Sequence, residues 1–426
     1  MTDPVTRDIT PEQWRQIEYR RVRRTRRTLV AILAILVILL LVATFALVQI
    51  LQPVGQVADS TDQTGMTWVR SMYGWGKTKA DQLQGPQGVA IGPDGVIWAT
   101  DQGFSRVIGF NPDGSYAGMM FLGVRNDPAH PDAMLYPTSV AVDSENRIYI
   151  GDQSGNSVDI MTRDNKLIRK IAIPTPQSVA VSSDRIVVGA ASGFAIFAKD
   201  GNNPIKVVGT QGKGDNQFQG VRGVAIAKDD TIYVVDQYNN RISSYDKNGN
   251  RKWIKVMGKA GNQSPVASNT SGTSGAGLQL PAEITIDGAG HLVVVDPFGF
   301  NIAVLDPSNG KILATYGDAG ANDGKFTYPS GIAYDSARDW FAVADTMNQR
   351  VEIVRLPNSG GSALAGINRS LAGPLRALLF PLLLLVLATI AAVVRRSLNR
   401  RKQAREAASL EGAVATAGSD GASSGS

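Results

Sequence analysis

Short apolar runs recur through the middle of the chain, each followed by a polar turn and then a second apolar run. The clearest copy begins with Val224-Ala225-Ile226-Ala227 and turns at Lys228-Asp229-Asp230-Thr231. It returns through Ile232-Tyr233-Val234-Val235, closes on Asp236, and continues into Gln237-Tyr238-Asn239-Asn240-Arg241-Ile242. Runs of this length, rich in Val and Ile and bounded by polar turns, predict β-strands. Six imperfect copies align on the first strand: Gly88-Val89-Ala90, Ser139-Val140-Ala141, Ser178-Val179-Ala180, Gly223-Val224-Ala225, Glu283-Ile284-Thr285 and Gly331-Ile332-Ala333. Their starts lie 51, 39, 45, 60 and 48 residues apart, the scale of a four-stranded blade. The second strands are Val96–Thr100, Ile148–Gly151, Ile186–Gly189, Ile232–Val235, Leu292–Val295 and Phe341–Ala344. An Asp closes five of them (Asp101, Asp152, Asp236, Asp296, Asp345), and Ala190 stands in the third. Five residues after each Asp come Arg106, Ser157, Arg241, Asn301 and Arg350. Units this small cannot bury their own faces, so they must stack on their neighbours.

The hydrophobic pattern changes at both flanks. Thr28–Leu51 and Ala377–Val394 carry no charged residue and approach the ~20 residues that cross a bilayer. Arg20, Arg21, Arg23, Arg24, Arg26 and Arg27 precede the first segment. Arg395, Arg396, Arg400, Arg401, Lys402 and Arg405 follow the second. Basic clusters stay on the cytoplasmic side, which predicts two spans with both termini inside and the repeats outside. The expected organisation is therefore a basic cytoplasmic segment over 1–27, a transmembrane helix over 28–51 and the repeats over 66–357. A second transmembrane helix over 374–394 and a basic, low-complexity cytoplasmic tail over 395–426 follow. The first segment reads as an uncleaved anchor, because its apolar stretch exceeds the 7–15 residues of a signal core.

Charge divides along the same lines. Residues 1–28 and 371–426 each carry a net +4 and the middle −2, which together make the formal +6. The basic pI thus belongs to the tails, where it sets topology and meets anionic lipid. It gives the repeats no nucleic-acid footprint. The absence of Cys excludes disulfides and thiol chemistry.

The pattern Pro-x-Gly-Val-Ala, Ile-Tyr-Val-x-Asp, Asn-Asn-Arg-Ile resembles the NHL repeat across about 290 residues. The connections Gly209–Phe218 and Gly317–Phe326 also resemble that family. The resemblance implies an all-β, six-bladed β-propeller, here flanked by two transmembrane α-helices. Outer strands are expected near Lys252–Gly258 and Lys311–Gly317, yet none follows the sixth copy. An orphan apolar run, Trp68–Gly74, is left before the first copy and is expected to complete blade six. Closure of this kind removes a free sheet edge. It also sends both membrane links out of one face. The opposite face then carries the turns after the closing Asp residues and the long inter-blade connections, including the insert Gly261–Gly277.

Candidate chemistry gathers on that opposite face. Its turns hold Phe104, Arg106, Tyr238, Asn239, Asn240, Arg241, Phe298, Phe300, Asn301, Met347, Asn348 and Arg350. Aromatic and Arg groups are common anchors for a partner. The competing reading is that Asp and Arg brace the turns while the aromatics pack between blades. The channel mouth is expected to be lined by Gln87, Thr138, Gln177, Arg222, Ala282 and Ser330, with Glu283 adjacent. There Arg222 meets either an anionic ligand or Glu283.

Metal-dependent lactonases and lyases are propeller relatives that need several carboxylate or imidazole groups on one cation. This chain has two His, His130 and His291, neither with a partner at ligand spacing. No cofactor is expected, with calcium the one cation left open. No phosphate-cradling run or nucleophile elbow is present. The expected function is non-catalytic recognition of an extracytoplasmic protein, peptide or envelope polymer. The two spans anchor the module in lipid or dock it onto a larger membrane complex. A metal-dependent lyase or lactone hydrolase using the central channel is the alternative.

Overall fold

Every expected strand pair forms, and each extends into a four-stranded antiparallel sheet. The structure, a computed structural model, describes residues 65–120, 134, 136–258 and 277–361, with isolated residues 12, 19, 395, 398, 399 and 403. The inner strands are Pro86–Ile91, Pro137–Val142, Pro176–Val181, Val221–Ile226, Ile284–Ile286 and Pro329–Asp335. Each inner strand touches that of the next blade, and blade six touches blade one, so the six sheets close a ring.

The second and third strands of each blade are buried on both faces. In blade 1, Ile97–Asp101 and Arg106–Phe110 are buried at every position. Neighbouring blades cover both sides of such strands, so their sequences read as continuous apolar runs. Outer strands are half exposed: Ile312–Tyr316 alternates between intermediate and exposed positions. Among the described residues the core divides into six apolar clusters, one per interface between blades. Burial of this kind stabilises by about 25 cal/mol per Å² of apolar surface.

The orphan run closes the ring as expected. Thr67–Met72 pairs antiparallel with Arg350–Arg355 and becomes the outer strand of blade six. Thr67 lies opposite Arg355, so the chain enters and leaves the propeller side by side on one face. The opposite face carries the turns after the second strands and the connections between blades.

The third copy departs from the repeat for a local reason. Ala190 pairs with Gly193 across a two-residue hairpin, where blade 4 spans four residues between paired Asp236 and Arg241. Ala190 and Gly193 fill the paired positions that Asp236 and Arg241 hold in blade 4, so the Asp–Arg pair is absent.

Among the described residues, no helix is long and apolar enough to cross a membrane. The segments expected to do so, 28–51 and 374–394, lie outside the described residues. So do most of the basic tails, residues 259–276 and His130.

Candidate functional site

The closing Asp residues turn inward and hold the connection that enters their own blade. Asp101 accepts the Gln84 N–H at 2.7 Å, Asp152 that of Tyr136 at 2.7 Å, and Asp236 that of Gln219 at 2.8 Å. Asp296 accepts from Gln279 and Leu280, and Asp345 from Thr327 and Tyr328. All five are buried. Burial pushes the carboxyls of Asp101, Asp236 and Asp296 above the usual range, against the pull of these donors.

Arg106, Arg241 and Arg350 complete the brace. Their guanidiniums contact Asp101 at 2.8 Å, Asp236 at 2.9 Å and Asp345 at 3.4 Å. Each then spends its remaining donors on carbonyls of the preceding loop. Arg106 reaches Ala80 and Gln82. Arg241 reaches Lys213, Gly214 and Gln217. Arg350 reaches Ala321, Asn322 and Lys325. Asn239 and Asn348 add the same contact, donating to the carbonyls of Gly212 and Gly320 at 2.9 Å each and to their closing Asp. Asn240 donates to the Leu278 carbonyl and Asn301 to that of Gly299. Seven of the candidate side chains are thus engaged within the protein, which leaves them placed as braces rather than as free ligand contacts.

The residue before each partner of the closing Asp adopts a left-handed conformation. It is Ser105, Asn156, Asn240, Phe300 and Gln349 in the five blades with the four-residue turn, with φ of 47–53°. Asn tolerates this region through local hydrogen bonding, whereas Phe there is strained.

The candidates that remain open lie at one place. Position two after the closing Asp is Tyr238 in blade 4, Phe298 in blade 5 and Met347 in blade 6, with 64%, 50% and 68% of their surface exposed. Blades 1 and 2 hold Gly103 and Ser154 at the same position. Three successive blades therefore present a large apolar side chain at this turn position, while Tyr73 and Tyr136 are exposed in the connections into blades 1 and 2. Tyr328 joins them, its ring 6.0 Å from that of Phe298 and edge-on. The sequence reading missed Tyr328. Its signal was the Tyr-Pro that opens the inner strand in two copies, Tyr136-Pro137 and Tyr328-Pro329.

Inside this arc the inner strands approach backbone to backbone. A Cβ on Gly223 would sit 2.5 Å from the Ala282 carbonyl, and one on Gly331 2.3 Å from that of Gln87. Hydroxyls stitch the ring at the same level: Thr138 donates to Pro176, Ser178 to Val221, and Ser330 to Gln87. Arg222 stands at this constriction. It makes no hydrogen bond or ion pair with any described residue, and the expected close pairing with Glu283 does not form. Arg222 nevertheless acts electrostatically on both Glu283 and Tyr328. Glu283, on the next inner strand, accepts from its neighbour's N–H at 3.3 Å. Enclosure by protein pushes its carboxyl up to about 8. On the inner strand of blade 3, the Gln177 amide oxygen is buried without a donor, close to Gly220, against which the Tyr238 ring also rests.

Among the described residues no three His, Cys, Asp or Glu side chains converge as metal ligands would. His291 is held at 3.0 Å by Asp287 on the face where the chain ends leave.

No protein-family model matches the chain. It is 24% identical over 257 residues to NHL repeat-containing protein 3 of Homo sapiens, across 55% of this chain and 69% of the relative. The Mus musculus protein of that name is 24% identical over 243 residues, across 52% of this chain and 65% of the relative. A solved protein of unknown function from Bacteroides thetaiotaomicron VPI-5482 shares the fold with a TM-score of 0.50 at 17% identity. That match covers 68% of this chain and 75% of the other. The repeat pattern, the six blades and these relatives together support the NHL propeller family.

Proposed function

We propose that this chain is a non-catalytic recognition module, a rigid propeller that binds a protein or peptide through the face opposite its chain ends. The observation that carries this reading is the arc of Tyr238, Phe298 and Met347, exposed at one turn position on three adjacent blades. Exposed apolar side chains grouped on one patch mark an interaction surface. Bracing by Arg241 and Arg350 keeps the arc rigid, so little conformational entropy is lost on binding.

The chain is also read as anchored in a membrane by segments 28–51 and 374–394, with the propeller outside. The uncharged apolar runs and their Arg-rich flanks support this. Both propeller ends leaving one face supports it too, since the arc would then point away from the bilayer. A lipid-anchored module of this shape serves as a binding subunit for an extracytoplasmic partner or a neighbouring membrane complex.

Two measurements test the reading. The chain lacks Cys, so a single cysteine at Met347 reports exposure without background. An impermeant maleimide added to whole cells is expected to label it, and protection until lysis would overturn the outward placement. The combined change Tyr238→Ala, Phe298→Ala and Met347→Ala is expected to abolish partner binding with the melting temperature retained. Undiminished binding by that variant would overturn the recognition face.

A further inference from the structure

The channel mouth carries a charge that the fold does not use. Elsewhere in the propeller, Arg106, Arg241 and Arg350 are each held by a carboxylate and by loop carbonyl oxygens. Arg222 is not. Among the described residues it is the one cation whose charge acts on Glu283 or Tyr328. A guanidinium retains a fork of donors suited to a planar carboxylate. A lone fork with aromatic walls suits a singly charged, planar anion better than a phosphate dianion, which favours several cations.

We infer that Arg222 anchors a carboxylate presented at the channel mouth by an acidic peptide segment, framed by Tyr238, Phe298 and Tyr328, with Glu283 as the internal carboxyl competing for the same guanidinium. The inference rests on the recognition face proposed above and names the chemistry of what binds there. The aromatic walls of Tyr238, Phe298 and Tyr328 extend beyond what one carboxylate can cover, which favours a peptide over a free acid. The groups that face the carboxyl of Glu283 are the N–H groups of Ile284 and Val224 and the charge of Arg222. Tyr328 and Tyr238 complete the titratable surroundings of the mouth. While Glu283 holds its proton, Arg222 is left to an external anion. As pH rises through about 8, the ionised Glu283 draws on Arg222 and weakens the external carboxylate.

The test uses the full chain and four probes: the capped peptide Ac-Gly-Phe-Asp-Gly-NH2, its Asn counterpart, succinate and inorganic phosphate. Titration calorimetry at pH 7 is expected to show the Asp peptide binding at least about tenfold tighter than the Asn peptide, the effect of one charge-assisted contact. Succinate is expected to compete for the same site more weakly, and phosphate not to compete. Arg222→Gln is expected to remove the preference for Asp, and Arg222→Lys to retain part of it, with melting temperatures unchanged. Between pH 7 and 9 the wild type should lose affinity and Glu283→Gln should not. Equal binding of the Asp and Asn peptides, tighter binding of succinate or phosphate than of the peptide, or a pH profile untouched by Glu283→Gln would overturn the inference. The two readings fail separately. If the triple alanine variant loses the partner while Arg222→Gln keeps it, the carboxylate site falls and the recognition face stands. If Arg222→Gln abolishes the discrimination between the peptides while the triple variant retains the partner, the face falls instead.

Discussion

Blades 1, 4 and 6 differ from blades 2, 3 and 5 in one respect. In the first group a buried Arg joins the closing Asp to the loop before the blade. In the second group that position holds Ser157 or Asn301, or the turn is shortened to the hairpin after Ala190. The braced connections are of intermediate length, shorter than those into blades 2 and 5 and longer than that into blade 3. Two of them are compacted by parallel pairing, Thr210–Gln211 with Gln217–Phe218 and Ala319 with Phe326. The connection into blade 3 is short and needs only the Asn156 side chain, which accepts the Thr175 N–H at 2.9 Å. The most recognisable residues of the repeat therefore solve a backbone problem: they give partners to loop carbonyls that would otherwise be buried without one. The proposed recognition arc uses instead the unremarkable position two after the Asp, where the copies differ most.

The largest effect expected from breaking this contrast is at Arg350. It binds Asp345, Glu352 and Asp323 and three loop carbonyls in the blade that closes the ring. Arg350→Ala should cost about 3–5 kcal/mol in chemical denaturation, because carboxylates stay buried without their partner. Asn301→Ala, at the matching position of an unbraced blade, should cost under about 1 kcal/mol. Equal losses would remove the distinction between the two groups.

Glu352 sharpens the same blade through pH. Its carboxyl accepts from Arg350 at 2.8 Å, while its second oxygen has no partner. Burial pushes it up to about 8. A raised folded value means the native state binds the proton more tightly than the unfolded chain. That contribution is complete below the ordinary Glu value of 4.5 and is lost as pH rises through about 8. Glu352→Gln should therefore match the wild type near pH 5 and exceed it by about 1–3 kcal/mol near pH 8. Melting curves from pH 5 to 9 check this, and parallel curves would contradict it.

Phe300 gives a smaller, opposite effect. It is the bulky residue among Ser105, Asn156, Asn240 and Gln349 at the left-handed turn position. Phe300→Asn should stabilise by about 0.5–1 kcal/mol through relief of backbone strain. A loss of stability would assign Phe300 a packing role. Smallest of all, Tyr238→Ala or Met347→Ala should change stability by under about 0.5 kcal/mol, as exposed side chains do. Loss of binding without loss of stability would separate recognition from bracing.

The fold was legible because each copy spells strand, turn, strand and Asp, and because Trp68–Gly74 had no partner unless it closed blade six. The candidate site was legible only in part. Asn239, Arg241 and Arg350 look like contacts in a linear sequence, since the carbonyls they satisfy lie about 25 residues upstream, in connections whose sequence likeness does not show what they pair with. Tyr328 was hidden because a Tyr before Pro reads as a strand opener. The isolation of Arg222 depends on the path of Glu283 across Gly223, a contact between copies that no single copy encodes.

The most direct test of the central claim places a photoreactive amino acid at Tyr238 and, in a separate full-length chain, at Asn248 on the opposite face. The account predicts a discrete crosslinked adduct from position 238 in native cells, competed away by excess unlabelled propeller, and none from position 248. An adduct from 248 with none from 238 would place recognition on the face where the chain ends leave, and would contradict it.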